Sequence, residues 1–523
     1  MQKEISIILT PHQVDNIEIL KKILAKKLSV TEEEISGYHL LRKSIDARSG
    51  NVKVNMQYRV FVGEEPTPTE KIKVDYKDVS QSNQVIVVGS GPAGLFAALR
   101  LIELGLKPIV FERGKEVKER KKDIAQLNRN AKLDPESNYS FGEGGAGAFS
   151  DGKLYTRSKK RGNYRKIYEV LHFFGAQDDI LINAQPHIGT DKLPTIIANI
   201  RQQIIESGGK FYFNSKVIGL VIENQEAKGV ELENGAQVFG EGVILATGHS
   251  ARDVYKWLHK QNIELEAKPF AVGVRVEHSQ YLINKIQYHN SSEIKYLPAA
   301  NYSLTTQANE RGVYSFCMCP GGFIIPAATS ENEVVVNGMS PSHRNSKYAN
   351  SGIVVEVRLD DLSDFSEHGV MAGLRFQEHL ELLSFQNANQ YQKAPAQRLK
   401  DFVEGITSKD LPETSYFPGV VSSGMHEWLP KRIYSALKKG LLDFDKKMKG
   451  YVTNDAVVLG VETRTSSPIK IPRNDENLEH ISIKNLYPCG EGAGYAGGIV
   501  SSAVDGERCA EKIAEKFFST GKK

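Results

Sequence analysis

The strongest constraint on the fold is residues 85–112, VIVVGSGPAGLFAALRLIELGLKPIVFE. An apolar strand, a glycine turn, an apolar helix and a second strand follow one another, which is typical of the βαβ unit of a parallel sheet. Gly89, Gly91 and Gly94 have the spacing GxGxxG, which permits a tight turn, close approach of a pyrophosphate and helix–strand packing. Pro92 suits the first helical turn, whose free NH groups favour phosphate. The segment therefore predicts a dinucleotide site.

A carboxylate stands where this unit would meet a ribose. Glu112 ends the second strand about twenty residues after the glycine turn, and a carboxylate there can accept hydrogen bonds from both ribose hydroxyls. An acid at this place disfavours a 2′-phosphate. The unit by itself leaves FAD and NAD as alternatives.

The length and composition of the chain fit several ordinary globular domains. At about 150 residues per domain, 523 residues predict roughly three units. The net charge of +4 gives no global field towards nucleic acid or an anionic membrane. The absence of an apolar run of about 18 residues predicts a cytoplasmic protein without a membrane span. The basic stretch RSKKRGNYRK, residues 157 to 166, could bind nucleic acid, although a solvated charged face is the favoured interpretation.

Changes of pattern along the chain predict an α/β fold with an added unit and an inserted one. Residues 1–80 read as a small N-terminal α+β domain with a linker, because alternating apolar residues in NVKVNMQYRVFV follow an amphipathic helix. Residues 81–267 form the first part of a Rossmann-like nucleotide domain, and residues 451–523 complete it. Residues 268–450 mix strands and helices and are predicted to be an inserted α+β substrate domain.

Two later segments resemble the second and third fingerprints of flavoproteins of the glutathione reductase superfamily. They are GVILATG, with Thr247 and Gly248, and LYPCGEGAG, with Gly490 and Glu491. The resemblance implies that the Rossmann-like domain binds FAD and that Glu491, where the family usually has Asp, contacts the ribityl chain. It also implies that the glycine loop GEGGAG lies close to the flavin, while a flexible surface loop is the alternative that the glycines alone leave open. The candidate FAD contacts are Gly89, Gly91, Pro92, Ala93, Gly94, Glu112, Arg113, Gly144, Gly145, Ala146, Val217, Thr247, Gly248, Gly490, Glu491, Gly498, Ile499 and Val500.

The whole chain resembles a bacterial family of uncharacterised FAD-dependent dehydrogenases. The motifs GEGGAGAFSDGKL, ATGHSARD, FCMCPGG, NGMS and GVETRTSSP occur in this order, after KSIDAR in the N-terminal unit. No second GxGxxG stands between an apolar strand and a helix. The chain is thus similar to flavoproteins with a single nucleotide domain, in which a small substrate meets the flavin beneath the inserted domain and the electron donor or acceptor is external.

Cys317 and Cys319, in FCMCPGG, are candidate catalytic thiols. Residues i and i+2 of a strand share a face but lie about 6.6 Å apart at Cα, near the upper limit for a disulfide. A flavin-facing thiol and two buried cysteines on a structural turn both remain open. Neither Cys489 nor Cys509 adds finger-like spacing, so a metal site is not expected.

Three further places carry candidate polar groups. Arg464 could hold an anionic substrate with its bidentate fork, or it could form a salt bridge with Glu462 or another neighbour. His249 follows the ATG turn and could donate to flavin or substrate, although a structural role is more common for one histidine. Asp151 and Lys153, in SDGK, could be acid–base or anchoring groups, or part of a solvated turn.

These features predict an FAD-dependent oxidoreductase that transfers a hydride between the flavin and a small substrate. One alternative is a flavin-dependent RNA-modifying enzyme, which the basic stretch and the N-terminal domain would serve. Another is a protein without catalytic activity in which FAD acts as a redox sensor.

Overall fold

The computed structural model describes residues 1–68, 72–156, 162–388, 392–519 and 521. The N-terminal unit consists of β1 (Gln2–Leu9), α1 (Ile17–Leu28), β2 (Ile35–Asp46) and β3 (Lys53–Val62). Its strands pair antiparallel in the order β1–β3–β2. Val54, Met56, Tyr58 and Val60 are buried with residues of α1, as the alternation in the sequence predicts.

The first part of the nucleotide domain starts with the predicted βαβ unit. Its elements are β4 (Gln84–Val88), α2 (Pro92–Glu103), β5 (Lys107–Phe111), α3 (Val117–Asn130), α4 (Tyr164–Phe173), α5 (Asp179–Ile182), α6 (Leu193–Glu206), β6 (Lys210–Tyr212), β7 (Val217–Glu223), β8 (Glu226–Leu232), β9 (Gln237–Phe239), β10 (Val243–Leu245) and α7 (Arg252–Lys260).

The inserted and C-terminal segments alternate long strands with helices. Their elements are β11 (Glu266–Ala267), β12 (Phe270–Ser279), α8 (Gln280–Gln287), β13 (Thr305–Ala308), β14 (Arg311–Cys319), β15 (Phe323–Pro326), β16 (Val336–Met339), β17 (Tyr348–Val357), α9 (Ala372–Gln386), β18 (Ala394–Arg398), α10 (Leu399–Glu404), β19 (Val420–Ser422), α11 (Met425–Trp428), α12 (Lys431–Lys447), β20 (Val457–Glu462), β21 (Ile469–Lys470), β22 (Leu486–Pro488) and α13 (Ile499–Ser519).

Two sheets organise these elements. The nucleotide sheet is parallel in the order β22–β10–β4–β5–β6, which confirms the Rossmann-like α/β fold, and the C-terminal segment completes it. The sheet of the inserted domain has the order β13–β14–β17–β12–β20–β18–β19. Because β20 pairs with β12 and β18 in this sheet, the inserted unit extends past the predicted boundary at residue 450.

Buried ion pairs join the two domains. Arg252, in α7 of the nucleotide domain, donates to both carboxylate oxygens of Glu381 in α9, at 2.6 and 2.7 Å. Arg464, which follows β20, donates to Glu381 at 3.2 Å and to Glu333 at 2.7 Å. Although burial works against its charge, the two guanidinium groups hold the pKa of Glu381 below its usual range. This carboxylate therefore ties the inserted domain to the nucleotide domain.

Replacing Glu381 by Gln should destabilise the protein strongly, because two buried arginines would then have to share the single charge of Glu333. Removing one partner of a buried pair costs about 3–5 kcal/mol, and denaturant unfolding monitored by fluorescence would measure it. Since the folded-state pKa is lowered, the wild-type advantage is present at neutral pH and should shrink as the pH falls below about 4.5. Glu378→Gln, which removes pairs with the partly exposed Lys256 and Arg375, should cost no more than about 1 kcal/mol. Equal losses in both variants would contradict this role.

Candidate functional site

The GxGxxG turn lies at the carboxyl edge of the parallel sheet, between β4 and α2. Gly89 has φ of +99°, and a Cβ placed on it would lie 2.5 Å from the carbonyl oxygen of Ala246 at the end of β10. A Cβ on Gly94 would lie 1.9 Å from the carbonyl oxygen of Gly89. These positions therefore require glycine, which allows strand, turn and helix to approach one another.

The glycine loop predicted to approach the flavin packs on this turn. The amide of Gly144 donates to the carbonyl of Ser90 at 2.9 Å. A Cβ on Gly145 would lie 3.1 Å from Cα of Gly91, and one on Gly147 would lie 3.4 Å from Cγ1 of Ile499. Ala146, between them, is exposed. The loop thus runs between the N-termini of α2 and α13.

The second and third fingerprints meet at the same edge. A Cβ on Gly492 would lie 2.6 Å from the carbonyl oxygen of Gly248, beside Thr247, and one on Gly490 would lie 3.0 Å from Cβ of Ala93. Gly498, directly before α13, has open space where its side chain would be. The first amides of that helix, at Ile499 and Val500, follow this open space and can face an anionic or electron-rich group.

Glu112 is buried and ties three loops together. One carboxylate oxygen accepts from the amide and the hydroxyl of Ser90, at 3.0 and 2.8 Å. The other accepts from the amides of Gly114 and Gly142, both at 3.0 Å. A ribose hydroxyl would have to share or replace one of these bonds, so the ribose contact stays a prediction.

Two other predicted FAD contacts flank Glu112. The guanidinium of Arg113 lies 4.2 Å from the centre of the Phe141 ring and pairs with Glu136 and Asp253. Val217, the first residue of β7, is buried in the apolar cluster that also contains Phe141. Both residues therefore stand next to the end of β5, where an adenosine group would approach.

His249 and Glu491 present hydrogen-bond acceptors that a cofactor with hydroxyl groups would satisfy. Nε2 of His249 lies 3.1 Å from the carbonyl oxygen of Arg464, so we assign the proton to Nε2 and an acceptor to Nδ1. Nδ1 lies 3.6 Å from Glu491, and within the described residues no hydrogen-bond donor reaches the Glu491 carboxylate. Burial lowers the pKa of His249, which keeps the ring neutral at pH 7. The residues therefore fit FAD, whose ribityl chain carries such donors.

The two cysteines of FCMCPGG differ in exposure. Cys319 is buried, and its sulfur lies 3.8 Å from Nζ of Lys153 and 3.5 Å from Nη2 of Arg275. Cys317 is exposed, yet desolvation raises its pKa to about 11, against the charge of Lys153. The charge of Lys153 acts on both thiols, so Cys317 and Cys319 lie near the same ammonium group. We use the name thiol recess for the place where Lys153, Cys317 and Cys319 meet.

The SDGK turn belongs to this recess and is not a solvated turn. Asp151 is buried and pairs with Arg344 at 2.7 Å and with Lys153 at 3.2 Å. Although burial opposes it, these charges lower the pKa of Asp151. Burial also opposes the Lys153 ammonium, but Cys319 and Asp151 raise its pKa. Lys153 is thus a cation at neutral pH.

Arg464 is placed differently from a substrate anchor. Its guanidinium donates to Thr329, Glu333 and Glu381. These contacts favour a salt bridge within the protein over the binding of an anionic substrate. The partner is not Glu462, which pairs with Arg275 at 2.8 Å. The partner Glu381 lies 83 positions away in the sequence and could not have been found from spacing.

A buried cluster of possible metal ligands was missed by the sequence reasoning. One ligand atom each from Cys489, Asp505 and Cys509 lies within 4.8 Å of the others. Arg473 donates to both oxygens of Asp505, at 2.6 and 3.0 Å, and lies 3.6 Å from the sulfur of Cys509. The guanidinium therefore supplies the positive charge that a metal ion would bring.

Only part of the basic stretch can be described. Residues 157–161 lie outside the described residues. In the remainder, Arg165 pairs with Glu169, and Lys166 pairs with Glu103 and Glu507. Arg165 and Lys166 are thus paired within the chain, and the two interpretations of the whole stretch stay predictions.

In the described part of the chain, no helix is both long and apolar enough to cross a membrane.

Comparison with known proteins identifies the class to which this fold and site belong. The chain matches an FAD binding domain over residues 84–126 and the family described as FAD-dependent protein, C-terminal domain-like, over residues 269–465. Residues 1–61 match a domain of unknown function, DUF8436. The protein is an FAD-binding flavoprotein, as the fingerprints predict.

A full-length relative then shows the family. An "Uncharacterized protein" of Clostridium beijerinckii is 42% identical over 522 residues, which cover 96% of this chain and 97% of the relative. The chain belongs to the same family as this relative.

Solved structures resemble the chain only distantly. A geranylgeranyl bacteriochlorophyll reductase-like protein of Thermoplasma acidophilum is 14% identical with a TM-score of 0.34, and the match covers 84% of this chain and 80% of that one. The flavin-dependent brominase Bmp2 is 12% identical with a TM-score of 0.36, and the match covers 83% and 79%. Likeness at this level does not bear on the reaction.

Gly91→Ala should weaken FAD binding without unfolding the protein. An added Cβ has its nearest neighbour at 3.8 Å and the backbone φ is −72°, so the turn can accept alanine. The methyl group would stand where the pyrophosphate approaches. We expect a loss of affinity of at least about tenfold, or about 1.4 kcal/mol, in a titration followed by flavin fluorescence. Gly312→Ala is the control, because its added Cβ would also meet its nearest neighbour at an ordinary distance, 3.7 Å, and this variant should bind FAD normally. Equal affinity for FAD in both variants would refute the placement of the pyrophosphate at Gly91.

Alkylation should map the thiol recess. In the reduced folded protein, iodoacetamide should modify Cys317 first, because Cys319, Cys489 and Cys509 are buried. Since the thiolate reacts and the pKa of Cys317 is raised, the rate should increase with pH towards about 11. The charge of Lys153 lowers the pKa of Cys317, so Lys153→Met should raise this pKa further and slow the alkylation at a given pH. Peptide mass spectrometry would identify the site, and faster labelling of a buried cysteine would contradict this geometry.

Proposed function

We propose that the protein is an FAD-dependent oxidoreductase that exchanges a hydride between the flavin and a small organic substrate held at the thiol recess. Bound FAD supplies reversible two-electron chemistry. The residues of the chain bind and orient the two reactants and keep water from them. The other electron donor or acceptor is external to the chain.

The proposal rests on two connections along the chain between the thiol recess and the segments predicted to hold FAD. On one side, the loop that packs on the GxGxxG turn continues within six residues from Gly147 to Lys153. On the other side, Glu462 holds Arg275, and two residues later the carbonyl of Arg464 accepts from His249 beside Glu491. A molecule in the recess would thus stand between the inserted domain and the cofactor segments.

Lys153 is the group best placed to hold such a substrate. Its ammonium has Asp151 and the sulfur of Cys319 on one side, while 37% of its side chain is exposed. A third N–H can therefore point to a polar or anionic group of the substrate. Lys268 has a pKa lowered by burial and interacts with the charge of Glu491, which makes it a second polar group near the predicted ribityl site.

The test is anaerobic reduction of the bound flavin. Protein loaded with FAD should show the flavin absorbance band, and NADH, NADPH or one member of a metabolite panel should bleach it. Lys153→Met should keep its FAD but lose at least about tenfold in the rate of bleaching by that reductant, which corresponds to about 1.4 kcal/mol. Lys347→Met is the matched control, because its side chain is exposed and pairs with Glu413. Protein that shows no flavin band and takes up no FAD would refute the proposal.

A further inference from the structure

We propose that Arg473, Asp505 and Tyr255 are positioning residues of the FAD site. Together they hold the turn of the third fingerprint, residues 488–492, and thereby set where the Glu491 carboxylate lies relative to the N-terminus of α13. Their role is in cofactor binding, so it does not depend on which substrate the flavin oxidises or reduces.

Asp505 joins this turn to α13. The residue lies within the helix and is buried. Its Oδ2 accepts from the amide of Gly490 at 2.8 Å. Gly490 has φ of +76° and directly precedes Glu491. The carboxylate of Asp505 thus ties the backbone beside Glu491 to the helix whose first amides can face an electron-rich group.

Arg473 neutralises this buried carboxylate and holds the start of the turn. Its Nη2 donates to Oδ1 of Asp505 at 2.6 Å, and its Nη1 donates to Oδ2 at 3.0 Å. Nη1 also donates to the carbonyl oxygen of Pro488 at 2.6 Å. The side chains of Arg473 and Asp505 are only 2% and 5% exposed, so water has little access to replace these bonds. One guanidinium therefore connects the end of β22 to α13.

Tyr255 holds the far end of the same turn. Its ring is buried in an apolar cluster of the nucleotide domain, and its hydroxyl donates to the carbonyl oxygen of Gly492 at 2.7 Å. The turn is thus bonded on both sides of Glu491. Within the described residues no hydrogen-bond donor reaches the Glu491 carboxylate, so its place depends on the backbone that these bonds hold.

The spacing that these residues set matters for the bound cofactor. The carboxylate of Glu491 is predicted to meet the ribityl chain, and the first amides of α13 are predicted to meet the flavin ring. The field of a helix N-terminus falls off within the first turn, so a small shift of α13 changes its effect on the ring. A change in this spacing should therefore alter both the affinity for FAD and the reduction potential of the bound flavin.

Three variants test the role in the full-length holoprotein. Tyr255→Phe keeps the ring and removes one hydrogen bond, and Asp505→Asn keeps the shape and removes the charge. Arg473→Lys keeps the charge but cannot make all three bonds of the guanidinium. A dilution series followed by flavin fluorescence gives the Kd for FAD, which should rise at least about threefold in Tyr255→Phe and at least about tenfold in the other two. In all three, the flavin reduction potential, measured anaerobically against a reference dye, should differ from that of the wild type.

Two matched controls change equivalent bonds in the inserted domain. Tyr416 is buried, and its hydroxyl donates to the carbonyl oxygen of Gln392 at 2.7 Å. Asp361 is buried and accepts from Arg311 and Arg432, both at 2.8 Å. Tyr416→Phe and Asp361→Asn should lower the unfolding temperature but keep the wild-type Kd for FAD and the wild-type potential.

A purely structural role would give a different result. Tyr255→Phe and Asp505→Asn would then unfold at lower temperature, as their controls do, while the folded variants kept the wild-type Kd and potential, and the proposal would be wrong. Should Asp505→Asn fail to fold, the comparison of Tyr255→Phe with Tyr416→Phe decides by the same two measurements.

Discussion

The close contact of α2 with its neighbours is the constraint on which the rest of the structure depends. A Cβ on Gly94 would fall 1.9 Å from the carbonyl oxygen of Gly89, and one on Gly506 would fall 2.1 Å from the carbonyl oxygen of Ala93. Helix α2 therefore touches the turn after β4 on one side and α13 on the other, at distances that only glycine permits. As a result, the first and third fingerprints, which lie about 400 residues apart, share one packing unit.

Much of the nucleotide domain could be predicted from the sequence because its signals are local. The glycine spacing, the apolar strands and helix, and the ends of α6 at Leu193 and Glu206 are each set by neighbouring residues. The loop at Gly144 and Gly145 packs on the GxGxxG turn, and its approach to the flavin stays a prediction that rests on the family resemblance. Family resemblance then supplied the choice of FAD, which the βαβ unit alone left open.

The charged groups of the domain junction could not be predicted in the same way. Arg252 and Glu381 of the junction are 129 positions apart, and Arg275 and Glu462, a buried pair within the sheet of the inserted domain, are 187 apart. Such pairs leave no periodic pattern, because any arginine can meet any acid that the fold brings to it. The recess at Cys317 had a partial signal in the spacing of the two cysteines, but the cations beside them come from distant strands and loops. Burial, which makes each of these charges require a partner, is a property of the assembled fold.

The four hydrogen bonds of Glu112 also bear on how the protein acquires its cofactor. They join the GxGxxG turn to the loops at Gly114 and Gly142 using groups of the chain alone. These bonds support the phosphate-binding turn through groups of the chain itself, so the entropy cost of ordering this turn falls on folding and little of it falls on FAD binding.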